Sequence, residues 1–381
     1  MKTEMVTIKK VTTKKELKTF IRFNYELYKG NPYSVPDLYD DMLATFDSKK
    51  NPAFEFCEAD YFLAHNEKGE VVGRVAAIIN HRSNETWGTK NVRFGWIDFV
   101  DDEEVSCSLL DAVAAWGKER GMTAMHGPLG FTDLDAEGML VEGFEHLSTM
   151  ATIYNYPYYQ KHVEQYGMEK DADWVEFKIN IPDGIPDKMR RIADLISRKY
   201  GLHVKKLKDM KEVKAGNYGQ KIFDLINEAY SPLYGYSRMS QRQIDQYVDT
   251  YLPILDLRMV TLVEDAEDNL VAVGVSMPSM SKALQKAKGK MLPFGWWHLL
   301  KALKWGRPQT LDLMLVGVKP EYQSKGVNSL LFTDLIPVYQ SLGFKDAESN
   351  PELETNNKVQ AQWEYFDTTL HKRRRAYKKS I

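Results

Sequence analysis

Apolar and polar positions along this chain spell out one order of elements, then spell it again. Residues 5–11 (MVTIKKV) alternate as a short strand. Residues 14–30 place Leu17, Phe20, Ile21, Tyr25 and Tyr28 at helical spacing, and Gly30 stops the helix. Residues 60–80 read as two strands about a Lys-Gly turn, and 92–100 as another strand. A helix over 105–121 closes at Gly121, and 122–127 is a short strand. After a long loop come a helix over 157–167 and a strand over 173–181. The stretch PDGIPD (182–187), with two prolines and a glycine, then marks a linker.

The second round starts with a strand and a helix within 204–230. Two strands around a polar turn follow at 258–277, then a strand at 310–318, a turn and a helix. That helix carries Val327, Leu330, Leu331, Leu335, Val338 and Leu342 on one face. Pro337 is expected to kink it, because proline removes the bond to Thr333. A short strand at 345–350, a helix at 355–366 and a final strand at 372–379 end the chain. This is a repeat of architecture. Gly73 matches Gly274, yet the next strand reaches Trp96 after 23 residues in the first half and Met314 after 40 in the second. The second half thus holds an insertion of about 17 residues within 278–308. The expected division is 1–181 and 182–381.

Composition adds boundaries. A length of 381 residues favours two domains. With 43% apolar and 27% charged residues the chain is of ordinary globular composition. A net charge of −2 gives no general attraction for nucleic acid, and no nucleic-acid partner is expected. The run HKRRRAYKK (371–379) reads as a local, solvated tail. The cysteines, Cys57 and Cys107, are too few for a disulfide framework or a cysteine zinc site, and fit a cytoplasmic protein. The N-terminus lacks the apolar core of a secretory signal, and no apolar run approaches the ~20 residues of a membrane span. HExxH and GxSxG are absent, and no metal is expected. Asp133, Asp135, Glu137 and Gly138 imitate the start of a calcium loop, but its twelfth position is Phe144. That segment reads instead as a polar loop lining an interdomain cleft, and the aromatic residues of 154–167 either pack in a core or shape an acceptor pocket.

The turn in VKPEYQSKGVNSLL (318–331) is the chemically informative stretch. A strand ends at Val318, the backbone turns through Gln323, Ser324, Lys325 and Gly326, and a helix opens near Val327. Unpaired N–H groups and the positive dipole end at a helix start attract an anion, glycine permits close approach, and Lys325 adds charge. A pyrophosphate fits such a turn. The Walker and Rossmann glycine patterns are both absent.

The stretch VGVKPEYQSKGVNSLL resembles the acyl-CoA-binding motif of the GNAT acyltransferase superfamily, V-x-P-x-x-[QR]-x-x-G-x-[GA] between a strand and a helix. Val318, Pro320, Gln323 and Gly326 match, and Asn328 stands where the family has glycine or alanine. The order of elements in 204–381 agrees with the fold, and 5–180 resembles a second, degenerate copy. The resemblance implies an α/β (α+β) protein of two GNAT-like domains, each a mixed, mostly antiparallel sheet flanked by helices. It implies acetyl-CoA or a longer acyl-CoA as co-substrate. Backbone near Val316 and Val318 would pair with the pantetheine arm, and Gln323, Ser324, Lys325, Gly326, Val327 and Asn328 would hold the pyrophosphate. Asn357, in the Asn-led helix of the next family segment, completes the set. An acceptor amine would attack the thioester directly. For proton transfer the candidates are Glu348, on the strand after the motif helix, and Tyr365. Relatives carry a tyrosine seven residues after the leading Asn; from Asn357 that position is Glu364, and Tyr365 is one further on.

The matching turn of the first half is FVDDEEVSCSLL (99–110). Asp101, Asp102, Glu103 and Glu104 suit a helix start but would repel a phosphate, so this copy is expected to support the cleft and not to bind CoA. Within the insertion, residues 291–306 mix Trp296, Trp297, Leu299, Leu300, Leu303 and Trp305 with Lys301 and Lys304. Such a stretch covers the protein's own core, or makes peripheral membrane or long-acyl contact. The expected activity is acyl-CoA-dependent N-acylation of a small-molecule or lipid-like amine. The alternatives are an acyl-CoA-binding regulatory module without chemistry, and a transferase of similar tandem fold that uses aminoacyl-tRNA.

Overall fold

The structure, a computed structural model, describes residues 6–306 and 308–381. The chain divides into two compact units. The first takes the chain through Val175 together with Ser281–Leu299 and Lys372–Ile381; the second comprises Glu176–Met280 and Leu300–His371. The inserted segment is therefore shared out, its first part grouping with the first unit.

In the first unit the strands β1 (Thr7–Lys10), β2 (Cys57–His65), β3 (Val71–Asn80), β4 (Asn91–Phe99) and β5 (Ala124–Gly127) lie in that order. β6 (Met139–Glu142) pairs at the side with the chain's last strand. β7 (Glu169–Asn180) begins in this unit and ends in the second. The period-2 alternation of β3 separates two layers: Val75, Ala77 and Ile79 face one core, Ala76 and Ile78 the other. The helix Glu103–Lys118 gives Leu109, Leu110 and Val113 to the first core. The helix Lys14–Leu27 gives Phe20 and Ile21 to the second, and starts in a capping box between Thr13 and Glu16. Each such buried side chain contributes about 1.5–3 kcal/mol. Gly73 lets the helix close on the sheet, because a Cβ there would stand 2.7 Å from Leu109 Cδ1.

The second unit orders its strands from the end of β7 through β12 (Asp346–Glu348), β11 (Thr310–Val318), β10 (Leu270–Pro278) and β9 (Val260–Glu264) to β8 (His203–Lys205). β13 (Glu352–Leu353) pairs with β7. The helix Asn328–Ser341 continues through Pro337. It packs Phe332, Leu335 and Ile336 with Met189, and Val327, Leu330 and Leu331 with Ala193 and Ile196. Met189, Ala193 and Ile196 belong to the helix Asp187–Tyr200, directly after the linker-like prolines.

The register makes the repeat concrete. β4 runs parallel to β5 over Asn91/Ala124, Val92/Met125 and Arg93/His126; β11 runs parallel to β12 over Thr310/Asp346, Leu311/Ala347 and Asp312/Glu348. After three pairs each couple parts. In both copies the antiparallel neighbour also slips. β3 skips a residue between Arg74 and Ala76, opposite Trp96, whose φ is 44°. β10 slips between Val275 and Ser276, opposite Met314. A bulge bends its strand and re-aims the residues beyond it.

Two sequence readings are overturned. The basic run 371–379 is not a solvated tail. It is the final strand also expected over 372–379, lying within β14 (Thr368–Ser380), with Lys372 and Arg374 fully buried. Arg374 donates to the Ile153 carbonyl, and Asp173 takes Arg375 at 2.7 and 2.9 Å and Arg373 at 3.2 Å. Partners on neighbouring strands, invisible in composition, keep these charges inside. The segment 355–366 is not one helix either. It is a short turn of helix, Asn357–Gln360, then a tighter 3₁₀ stretch, Ala361–Tyr365. Gln360 Nε2 ties its first turn to the Leu353 and Glu354 carbonyls at 3.0 Å each.

Candidate functional site

Where β11 parts from β12, the second unit opens an edge. Leu313 and Leu315 to Val318 remain paired with β10 but have left β12, and Met314 is the bulged residue between them. Two side chains reach the freed carbonyls: Asn350 Nδ2 donates to Met314 O at 2.5 Å, and Tyr230 OH to Val316 O at 3.1 Å. An extended residue shows its N–H and C=O on the same edge, so the Val316 N–H faces this opening too.

The strand then enters the turn. Gln323 Nε2 donates back to Val318 O at 3.2 Å. Ser324 and Gly326 both take positive φ, 59° and 83°. A Cβ on Gly326 would stand 2.9 Å from Ile192 Cγ2, so the helix Asp187–Tyr200 is packed against the turn's glycine. The amides of Ser324, Gly326, Val327 and Asn328 find no acceptor among the described residues. The Lys325 ammonium sits 5.1 Å from the Tyr200 ring and 5.3 Å from the Tyr322 ring. Asn328 spans to Gln362, its Nδ2 donating to Oε1 at 3.0 Å, while its own Oδ1 is buried without a partner.

The sequence candidates for proton transfer have different partners. Glu348 ends the short pairing of β12 with β11, and its Oε1 is 3.2 Å from His371 Nε2. Tyr365 packs at the core below the helix Asn328–Ser341, with Lys188 Nζ 4.9 Å from its ring. Asn357 is the first residue of its helical turn, and the residue that caps it is Asn356.

A carboxylate the sequence did not mark stands at the opening. Glu352, on β13, accepts from the Trp363 indole N–H at 3.0 and 3.1 Å. Burial pushes its pKa up to about 8, against the lowering effect of that bond. Tyr230 is pushed up to about 12, first by burial and in smaller part by the charge of Glu352. Tyr230 thus bonds the Val316 carbonyl and feels the charge of Glu352. Nothing in the spacing of SNPELE distinguishes Glu352 from its neighbours. The partner Trp363 is eleven residues away and across a loop.

The first unit closes the equivalent opening with its own chain. Leu129 N donates to Phe94 O at 2.9 Å, and Gly127 and Gly95 lie too near the facing carbonyls of Phe94 and Leu129 to accept a Cβ. At the helix start, Asp102 caps Glu104 N at 2.9 Å. Asp101 meets His162 Nε2 at 2.9 Å, and His162 Nδ1 meets Ser106 Oγ at 2.8 Å. This Ser–His–Asp chain is no nucleophile system, because Ser106 is fully buried and also donates to Glu103 O.

The calcium-like loop is likewise arranged around protein groups. Asp135 Oδ2 accepts from Thr132 N at 2.9 Å. The buried Arg93 guanidinium donates to Gly130 O and Ser83 Oγ, both at 3.1 Å. Burial pushes Asp135 up to about 6, and holds Glu137 well above the carboxylate range with help from Asp133. Among the described residues, metal-type side chains converge only at His203, Glu264 and Asp268, where Tyr218 OH already donates to Glu264 at 2.9 Å.

No family model matches the sequence. Protein YghO of Escherichia coli K12 is 26% identical over 375 residues, 97% of this chain and 94% of that protein. A protein of Caulobacter vibrioides named bacterial ceramide synthase is 27% identical over 379 residues, 97% and 96% of the two. Among solved structures, a tandem GNAT protein from the clavulanic acid biosynthesis pathway superposes with a TM-score of 0.56 at 11% identity, covering 99% of this chain and 98% of its own. The chain has the tandem GNAT fold. A GCN5-related glucosamine N-acetyltransferase region of a fungal multi-domain glycosidase gives 0.57 at 12% identity, and there the chain spans 38% of the larger protein. The mixed α/β architecture, with a large, mostly antiparallel sheet flanked by helices, matches that tandem GNAT protein; the strands of the two copies belong to one sheet, where a separate sheet for each copy was expected. Among the described residues no helix is long and apolar enough to cross a membrane.

Proposed function

We propose that the protein is an acyl-CoA-dependent N-acyltransferase, that its second unit holds the acyl donor, and that its acceptor is a long-chain, lipid-like amine. The observation that carries this reading is the open edge of β11 leading into a glycine turn with four unpaired amides. In this arrangement the Val316 N–H meets the pantetheine amide. The N–H groups of Ser324, Gly326, Val327 and Asn328 and the Lys325 ammonium meet the pyrophosphate. The lipid-like acceptor rests on the relative named bacterial ceramide synthase, since a ceramide is the amide of a long-chain amino alcohol.

The step joins the amine nitrogen to the thioester carbonyl carbon and breaks the carbon–sulfur bond. The nitrogen must first shed a proton. In this reading Glu352 accepts it: two residues before it Asn350 bonds the Met314 carbonyl, Tyr230 at Val316 feels its charge, and its raised pKa keeps it a base of useful strength near neutrality. The departing thiolate takes its proton from water. Glu348, the carboxylate on the β12 side of the split, is engaged with His371, so Glu352 is preferred. Tyr230 acts through the strand, holding the Val316 carbonyl and with it the direction of the Val316 N–H.

The test is calorimetric titration with acetyl-CoA and palmitoyl-CoA, followed by an assay of free CoA thiol with short amines and with long-chain amino alcohols. Palmitoyl-CoA binding with thiol release on a long-chain amine supports the reading. Binding without release to any amine would make the protein an acyl-CoA-binding module. No binding of either donor would remove the reading altogether.

A further inference from the structure

The segment that breaks the repeat forms a surface of its own. Five of the eleven large apolar side chains exposed among the described residues lie within seven consecutive positions: Met291, Leu292, Phe294, Trp296 and Trp297. Leu292 and Phe294 are 77% and 72% exposed. This is not a loosely attached loop. Ala283, Leu284, Ala287 and Leu299 are buried beneath it. Gln285 Nε2 donates to the carbonyls of Pro32 and Ser34 at 3.0 and 2.8 Å, and Tyr39 N donates to Gly289 O at 2.8 Å. Gly289, at φ 65°, lies so close to the Asp37 carbonyl that a Cβ would stand 2.4 Å from it. One side of the segment is thus pinned while the other presents its apolar groups to water. From Ser281 to Gly306 it carries six lysines and no aspartate or glutamate, and Lys286, Lys288 and Lys290 are exposed just before the apolar run.

We infer that this surface seats the protein on an anionic bilayer. A contiguous apolar patch is costly in water, and its rim decides what covers it. The exposed lysines, on a segment without carboxylates, attract lipid phosphates although Asp37, Asp40 and Asp41 lie on the chain that pins it; Trp296 and Trp297 suit the headgroup boundary, and Leu292 and Phe294 are long enough to reach the acyl region. The helix Gly295–Lys304 is short, so it lies in the interface and does not cross it. The inference stands on the surface alone and does not depend on the proposed reaction.

Co-sedimentation of the full chain with vesicles tests it. The protein should pellet with phosphatidylglycerol-containing vesicles and less with pure phosphatidylcholine, and added salt should weaken the binding. The double variant Leu292→Glu, Phe294→Glu should lower partitioning roughly tenfold or more. Its melting temperature should stay as in the parent, because both side chains are exposed. A second variant, Lys286→Gln with Lys288→Gln and Lys290→Gln, should erase the preference for the anionic lipid. Failure of the intact protein to pellet, or equal pelleting of the double variant, overturns the inference. So does a dimer by light scattering that the double variant splits, because a second copy would then cover the patch.

Discussion

Both carboxylate oxygens of Glu352 lie within hydrogen-bonding distance of the Trp363 indole nitrogen, at 3.0 and 3.1 Å. One neutral donor cannot compensate a carboxylate withdrawn from water, so the group titrates high. With a folded pKa of about 8 against an ordinary value of 4.5, Glu352 is mostly protonated at pH 7 in the free protein. If it accepts the amine proton, kcat/KM should climb as pH rises through about 8. Glu352→Gln should lower kcat by about 10²–10⁴ and flatten that limb, with acyl-CoA affinity unchanged. A rate profile of the variant identical in shape to the parent's would exclude the role.

The turn glycine offers a controlled comparison. Gly326 and Gly343 have nearly the same positive φ, 83° and 82°, but a Cβ meets Ile192 only at Gly326. Each alanine variant should lose about 1–2 kcal/mol of stability for the left-handed backbone. Gly326→Ala alone should also weaken acyl-CoA binding, by roughly tenfold, since its N–H belongs to the proposed anion site. Equal binding by both variants in calorimetry would move the donor elsewhere.

Asp173 holds Arg373 and Arg375, the partly buried arginines of β14. Its side chain is 1% exposed, and burial, which favours the neutral acid, is outweighed by Arg375 and Lys170. Its pKa is therefore below the ordinary 3.8, and the stability it lends is present above that value and lost as pH falls below it. Asp173→Asn should cost about 3–5 kcal/mol in urea unfolding, because Arg373 and Arg375 keep their charge and lose its partner.

The acidic loop should behave in the opposite sense. Asp135 has a folded pKa of about 6, above the ordinary 3.8, so the protein favours its neutral form. The corresponding stability is complete below about pH 4 and lost as pH rises through about 6. The melting temperature should fall over that window, and Asp135→Asn should reduce the slope. An unchanged slope would assign the dependence to Asp37 or Glu137, whose pKa values are also raised.

The repeat, the strands and the turn at Gln323–Gly326 were legible because period, glycine and proline leave local marks. The helix Asp187–Tyr200, unread in the sequence, carries Met189, Ile192, Ala193 and Ile196 at helical spacing, but it opens directly after two prolines and a glycine that read as a linker. Lys372, Arg374 and Glu352 were not legible. Their burial depends on partners or surroundings supplied by distant strands and loops, and a charged residue looks alike in sequence whether solvated or enclosed. The cap on the short turn after Leu353 fell on Asn356 and not Asn357, a choice of one residue that side-chain geometry makes.

The chain passes from one compact unit to the other after Val175, Met280, Leu299 and His371. No single cut in the polypeptide yields two whole units. A fragment covering 182–381 would carry Ser281–Leu299 and Lys372–Ile381 with no host to fold against, while the remaining fragment would lack both. A cut between the two copies of the repeat would therefore part Ser281–Leu299 and Lys372–Ile381 from the unit with which they are grouped.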